Sequence, residues 1–229
     1  MRKIDDEIQA LLSEHRGDIR SILKDNHRLD LLYALSSQRE LLLEWYDFEP
    51  EAEVLQVGAD YGALTGLLRS SVSAVTVLDE TESALETVRQ RYPGAANIYY
   101  RKDSLAGYAA EACAEGKKYD YVIFAGTLTA PYEDHIHAAK ALLKPEGILI
   151  VASANALGMK YFAGTVEEEN ALTKRQLTEL LCGDRETQSM ADESGALKFY
   201  YPMPDYKTPV SIYSDAYLPK KGDLTRVTP

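Results

Sequence analysis

EVLQVGADYGALTG, residues 53–66, is the stretch on which the reading of the chain turns. A run of apolar residues fitting a buried strand leads into a turn with glycines at 58 and 62, and then into the start of a helix. In that arrangement the free backbone N–H groups at the helix start face a nucleotide-type cofactor, and small residues let it come close. One acid, Asp60, stands in the middle of the turn and asks for an explanation.

Outward from this turn the hydrophobic period alternates between strand and helix. Strands are expected over 53–59, 74–80, 97–103, 119–126 and 147–154, with helices over 63–70, 82–92, 105–116 and 134–143. That order predicts an α/β fold with a parallel, doubly wound sheet. KPEG, 144–147, is read as the turn into the fifth strand. A helix over 173–183 follows, and then two extended stretches, 196–204 and 208–215, expected to pair antiparallel and close one edge of the sheet. Upstream, apolar residues at helical spacing (Ile4, Ile8, Leu11, Leu12; Leu31, Leu32, Leu35, Leu41, Leu42, Trp45) predict two or three helices within 4–46, ended by Pro50. The polar stretches 167–171 and 184–194 read as loop insertions.

Composition narrows the function. The chain has 229 residues, enough for one α/β domain with a full core, and a formal charge of −11. Such an acidic chain is a poor match for the phosphate backbone of a nucleic acid, and small or neutral substrates fit better. The two cysteines, Cys113 and Cys182, lie in unlike contexts with no CxxC, and are read as reduced thiols of a cytoplasmic protein. The four histidines are scattered with no metal-ligand spacing, so no metal is expected. No apolar run is long enough to span a bilayer, and the first residues are charged and amphipathic, unlike a signal peptide.

The turn alone does not choose between nicotinamide and adenosyl cofactors. Asp79 ends the second expected strand, 21 residues after Gly58, where a carboxylate can take both hydroxyls of a ribose. Its ordinary reading is a helix cap, and the two roles are compatible. Asp103 ends the third strand, facing an adenine edge or capping the next helix. A terminal antiparallel pair is unusual for nicotinamide-binding domains, and a Tyr/Lys hydride-transfer set is lacking.

VLQVGADYGALTG, VTVLDETESALETVRQRY, KYDYVIFAGTL and ALLKPEGILIVASAN together resemble the class I S-adenosylmethionine-dependent methyltransferases over roughly residues 50–160. SQRELLLEWYDFEPEAE upstream, with NALGMKYFAG and FYYPMPDYKTPVSIYSDAYLP downstream, resembles methyltransferase domains of bacterial cell-surface polysaccharide clusters, sometimes fused to glycosyltransferases. The resemblance implies a Rossmann-like methyltransferase domain over 50–229, preceded by an N-terminal helical extension over 1–49 packed on the core. It implies S-adenosyl-L-methionine as cofactor, a small-molecule or glycan acceptor methylated on oxygen, and a glycosyltransferase as partner or fused domain. Carried over residue by residue, it makes Gly58 and Gly62 the turn glycines, Asp79 the ribose acid and Asp103 the adenine-side residue. Gly126 and Thr127 become backbone beside the methionine moiety. The chain departs from the family at two positions: Gln56 stands where an acid usually contacts the cofactor's ammonium, and Asp60 where the middle glycine usually stands. Asp60 is then either a relocated ammonium ligand or a residue that fills or repels, the second reading belonging to a degenerate, non-catalytic module.

A hydroxyl acceptor also needs a proton acceptor. The candidates follow the fourth strand in PYEDHIHAAK: His135, of suitable unperturbed pKa, and Asp134 beside it. Their ordinary reading is Asp134 as a helix cap and His135 on a solvated face. Tyr161, Asp205 and Tyr206 are further candidates for the acceptor side, and Tyr33 and Arg39 for a lid from the N-terminal helices.

Overall fold

The structure, a computed structural model, describes residues 3–166, 168, 170–183 and 196–217. Three helices open it: α1 (Lys3–Glu14), α2 (Ile19–Asp25) and α3 (Leu29–Leu35). Their apolar stripes meet in a small core of Ile8, Leu12, Ile22, Leu31 and Leu35. The apolar spacing over 28–46 does not make one helix. Ser36 turns extended (φ −63°, ψ 145°), and its hydroxyl accepts from the Gln38 N–H to start a separate 3₁₀ turn, Ser37–Leu42. A serine that bonds to the backbone two residues on competes with helix continuation.

The main sheet holds β1 (Glu53–Val57), β2 (Ala74–Asp79), β3 (Ile98–Lys102), β4 (Tyr119–Ala125) and β5 (Leu143–Ala152). They lie in the order β3-β2-β1-β4-β5, every pair parallel. The connecting helices are α4 (Thr65–Ser71), α5 (Glu82–Arg91), α6 (Leu105–Ala114) and α7 (Tyr132–Ala141). Both faces are covered, so the central strands are apolar almost throughout and divide their side chains by simple alternation. Val54, Val75, Val77 and Ile123 pack with Leu68, Leu85 and Val88. Leu55, Leu78, Val122 and Phe124 pack on the other face with Tyr108, Ala112, Ile136 and Ala139.

KPEG does not precede the fifth strand but lies inside it. Tyr119 pairs with Leu143 and Tyr121 with Ile148, so the extra residues bulge out of the ladder. The strand's foot is pinned by Asp120, whose carboxylate accepts from the Glu53 N–H and the Lys144 ammonium, both at 2.8 Å.

Two short helices, α8 (Met159–Phe162) and α9 (Lys174–Cys182), follow. A reciprocal capping box between Thr173 and Gln176 starts α9. The last strands, β6 (Tyr200–Met203) and β7 (Ser211–Ser214), pair antiparallel as the sequence pattern indicates, but as a sheet of their own and not as an edge of the main one. Their side chains are engaged elsewhere: Tyr200 packs on Trp45 at 4.6 Å between ring centres, and Tyr201 and Asp215 both bond to Lys174. The 167–171 stretch is described only in part, and 184–194 lies outside the described residues. Among the described residues no helix is long and apolar enough to cross a membrane, and no group of side chains could hold a metal ion.

Candidate functional site

In a sheet of this order the direction of winding reverses between β1 and β4, and ligands bind at the carboxyl edge there. Four residues of the turn after β1 are left-handed: Gly58 (φ +86°), Asp60 (+40°), Tyr61 (+55°) and Gly62 (+72°). At Gly58 the requirement is double, because a Cβ there would lie 2.5 Å from the Thr127 methyl. Asp60 and Tyr61 hold the same conformation without being glycine, a strain on the order of 1–2 kcal/mol for each residue. Neighbours hold Tyr61 in place. Its hydroxyl donates to Asp5 in α1 (2.7 Å), and its carbonyl accepts from Arg91 (3.0 Å).

Gln56 faces inward and is 3% exposed. Its amide nitrogen donates to the Gly58 and Ala59 carbonyls (3.1 and 3.4 Å), and its oxygen accepts from Thr65 (2.8 Å). An amide, unlike a carboxylate, can do both. The departure from an acid at this position therefore has a local reason: glutamate would aim an oxygen at two carbonyls.

Along the β2–β3 end of the edge, Asp79 and Asp103 come together, the Asp103 N–H donating to the Asp79 carbonyl at 3.1 Å. One Asp79 oxygen accepts the Ala59 N–H of the turn (3.0 Å), and the other accepts from the N–H and hydroxyl of Thr81 (2.9 Å each). Asp79 thus ties the glycine turn to the start of α5. Asp103 accepts the Ser104 N–H (2.7 Å), while the cap of α6 is Ser104 itself, which accepts from Gly107 (3.1 Å).

The β1–β4–β5 end is built by residues distant in sequence. Tyr206, 4% exposed, packs with Ala59, Ala125 and Ala154, and a Cβ on Gly126 (φ +82°) would lie 2.5 Å from its hydroxyl. Arg39, 5% exposed, stands over the Tyr206 ring at 5.2 Å and donates to the Ala125 carbonyl at 3.4 Å. Its Nη1 lies 2.9 Å from Asp60 Oδ2, an ion pair poorly aligned for hydrogen bonding, so that Oδ2 and Arg39 Nε stay buried without hydrogen-bond partners. Burial pushes the Asp60 carboxyl up, against the pull of Arg39, Lys207 and Arg91. The Tyr206 phenol is also pushed up, by burial and then by Glu168, with Arg39 opposing. Thr127, beside this group, donates its hydroxyl to the Val57 carbonyl. Asn170 donates to the Gly126 carbonyl at 2.9 Å.

Outside Tyr206 lies a ring of charge. Glu168 accepts from Lys160 (2.7 Å) and Lys207 (2.9 Å). Asp205 accepts the N–H groups of Lys207 and Thr208 and lies 3.7 Å from Lys160. Burial would raise the Glu168 carboxyl; the two lysines outweigh it and hold it below its ordinary value. Tyr161 packs under Lys160 with its hydroxyl buried and unbonded.

His135 lies in the first turn of α7, its Nδ1 2.9 Å from the Thr129 carbonyl. Since a carbonyl only accepts, Nδ1 carries the proton and Nε2 is left as the acceptor. Asp134 is exposed and does not cap α7: the cap position is Pro131, with no side-chain bond. No hydrogen bond or ion pair joins either residue to Asp60, Arg39 or Tyr206. The sequence pattern singles out Arg39, Asp60, Gly126 and Tyr206 one by one and misses their meeting, which joins segments far apart in the chain.

No family model matches the chain, and no curated protein does. Among solved structures it is similar to the N-methyltransferase NodS from Bradyrhizobium japonicum WM9 in complex with S-adenosyl-L-homocysteine, at 18% identity over 76% of this chain and 83% of that one, TM-score 0.48. It is also similar to the CcbJ methyltransferase from Streptomyces caelestis, at 22% identity over 53% of this chain and 51% of that one, TM-score 0.44. A third likeness is to precorrin 8W decarboxylase of Methanobacterium thermoautotrophicum, at 21% identity over 56% of this chain and 67% of that one, TM-score 0.45. These likenesses concern the fold, which here rests on the chain's own strand order; one such fold hosts unrelated reactions.

Proposed function

We propose that the protein is an S-adenosyl-L-methionine-dependent methyltransferase acting on a hydroxyl of a sugar or related small acceptor in cell-surface glycan assembly. The observation that carries this reading is the joining of the left-handed glycine turn, Asp79 and Asp103 into one continuous carboxyl edge. Asp79 retains lone pairs for ribose hydroxyls, and the Asp103 carboxylate suits the adenine side. At the other end Asp60 and Arg39 match in sign the ammonium and carboxylate of an amino acid, and both carry a buried atom without a hydrogen-bond partner. Gly126 and Thr127 offer backbone at that same end. The cofactor supplies, when bound, an electrophilic methyl group on a positively charged sulfur, so the chain's task is alignment and exclusion of water. His135, with Nε2 free to accept, takes the acceptor's proton, and Asp134 lends negative charge beside it.

A second reading, a non-catalytic module of the same fold, is favoured by one observation: Tyr206 and Arg39 fill the amino-acid end of the crevice. Calorimetry with S-adenosyl-L-methionine, S-adenosyl-L-homocysteine and NAD separates the two. The enzyme reading expects binding of both adenosyl ligands, weakened by about 1.5–3 kcal/mol in Asp79→Ala. It also expects slower turnover with unchanged cofactor affinity in His135→Gln. A folded chain that binds neither adenosyl ligand, with or without Tyr206, leaves only the second reading standing.

A further inference from the structure

We infer that residues 204–208 are a gate: Tyr206 closes the crevice between the ends of β1 and β4, and a ligand enters only when this loop withdraws. The inference rests on the adenosyl-ligand reading above and adds the control of that same site.

Four observations carry it. The ring is seated where this strand order places a ligand, against Gly126 at the end of β4 and under Arg39. The ring covers a mismatched polar pair, leaving Arg39 Nε and Asp60 Oδ2 buried and unbonded, whereas permanent core would be expected to satisfy them. The loop belongs to the β6–β7 sheet, which shares no ladder with the main sheet, so it can leave without breaking a strand pair there. Finally, the loop is fastened from outside by the ion pairs of Lys207 with Glu168 and of Asp205 with Lys160, and such partly exposed pairs hold weakly and reversibly. Gly126 then serves both states: its missing side chain seats the tyrosine when closed and admits a ligand close to the backbone when open.

The test uses the full chain. S-adenosyl-L-homocysteine is titrated calorimetrically into wild type, Tyr206→Ala and Glu168→Gln, and hydrogen exchange over 204–208 is followed with and without it. A gate predicts at least tenfold tighter binding by Tyr206→Ala, a smaller gain for Glu168→Gln, and faster exchange over 204–208 when the ligand is added to wild type. Equal affinities in all three proteins, or slower exchange with ligand, overturn the gate and leave the donor reading intact. If none of the three binds, the donor reading falls, and the gate is decided without ligand. Glu168→Gln should then speed exchange over 204–208 severalfold while leaving β1 unchanged; unaltered exchange there overturns it. Should Tyr206→Ala fail to fold, Glu168→Gln carries the same comparison.

Discussion

The two ends of the sheet's carboxyl edge solve one problem in opposite ways. At the β2–β3 end, Asp79 and Asp103 find partners within a few residues or across one ladder, and every bond described there is of ordinary length. At the β1–β4 end the partners arrive from far away, Arg39 from before the sheet and Tyr206 from after it, and buried polar atoms are left over. Locally satisfied groups make a rigid rim. A crevice closed by remote segments can be closed and opened at modest cost.

The contrast can be broken most severely at the turn that joins the two ends. Gln56→Glu should destabilise the chain by about 4 kcal/mol in urea unfolding, because a buried carboxylate would face the Gly58 and Ala59 carbonyls. A loss under about 1 kcal/mol would mean that the turn rearranges to accept it. Gly58→Ala comes next, at about 3 kcal/mol, from left-handed strain together with overlap on Thr127. Its control is Gly116→Ala, which meets the strain (φ +72°) in open space and should cost only about 1 kcal/mol.

Asp60→Asn keeps the shape and the tolerance of a left-handed backbone but leaves the Arg39 charge unopposed. Removing one partner of a buried pair costs several kcal/mol; with 26% of the Asp60 side chain exposed, about 2 kcal/mol is expected. Arg39→Met in the same background should recover part of that, so the double mutant measures the coupling. At the rigid end, Asp79→Ala should cost about 1 kcal/mol through the lost bonds to Ala59 and Thr81.

The smallest effect is a pH dependence. Glu168 is held below its ordinary value by its lysines, so its contribution is complete above the unfolded glutamate value of about 4.3 and disappears as pH falls through its depressed one. Asp60, pushed up by burial, has the opposite sign. Thermal unfolding from pH 7 to pH 3 should therefore fall less steeply in Glu168→Gln than in wild type. Parallel curves would remove Glu168 from the charged fastening.

The fold was legible in the sequence where the signal is local. Strands β1, β2 and β4 are mostly apolar runs with turn residues at their ends, and the periodicity places β1 to β4 within a residue or two of their observed bounds. The bulge that absorbs KPEG and the independence of the β6–β7 pair were not legible, since each depends on what another part of the chain offers; the break at Ser36 is local, but helical apolar spacing runs on through it. The same division runs through the candidate site. Gly58, Gly62, Asp79 and Asp103 announce a carboxyl edge by position alone. Gln56 and Asp60 could be flagged as unusual but not explained, because their reasons are the Gly58 carbonyl in one case and Arg39 in the other. The cap expected of Asp134 falls instead at Pro131, since the helix starts earlier than its acid suggests.

The origin of Tyr206 also sets an order of events in the making of the protein. The Arg39–Ala125 contact already spans 86 positions, and Tyr206 enters only after all five parallel strands have been made. Synthesis runs from the N-terminus and long-range closures form late. The residue that closes the crevice is therefore made only after every strand whose ends form it.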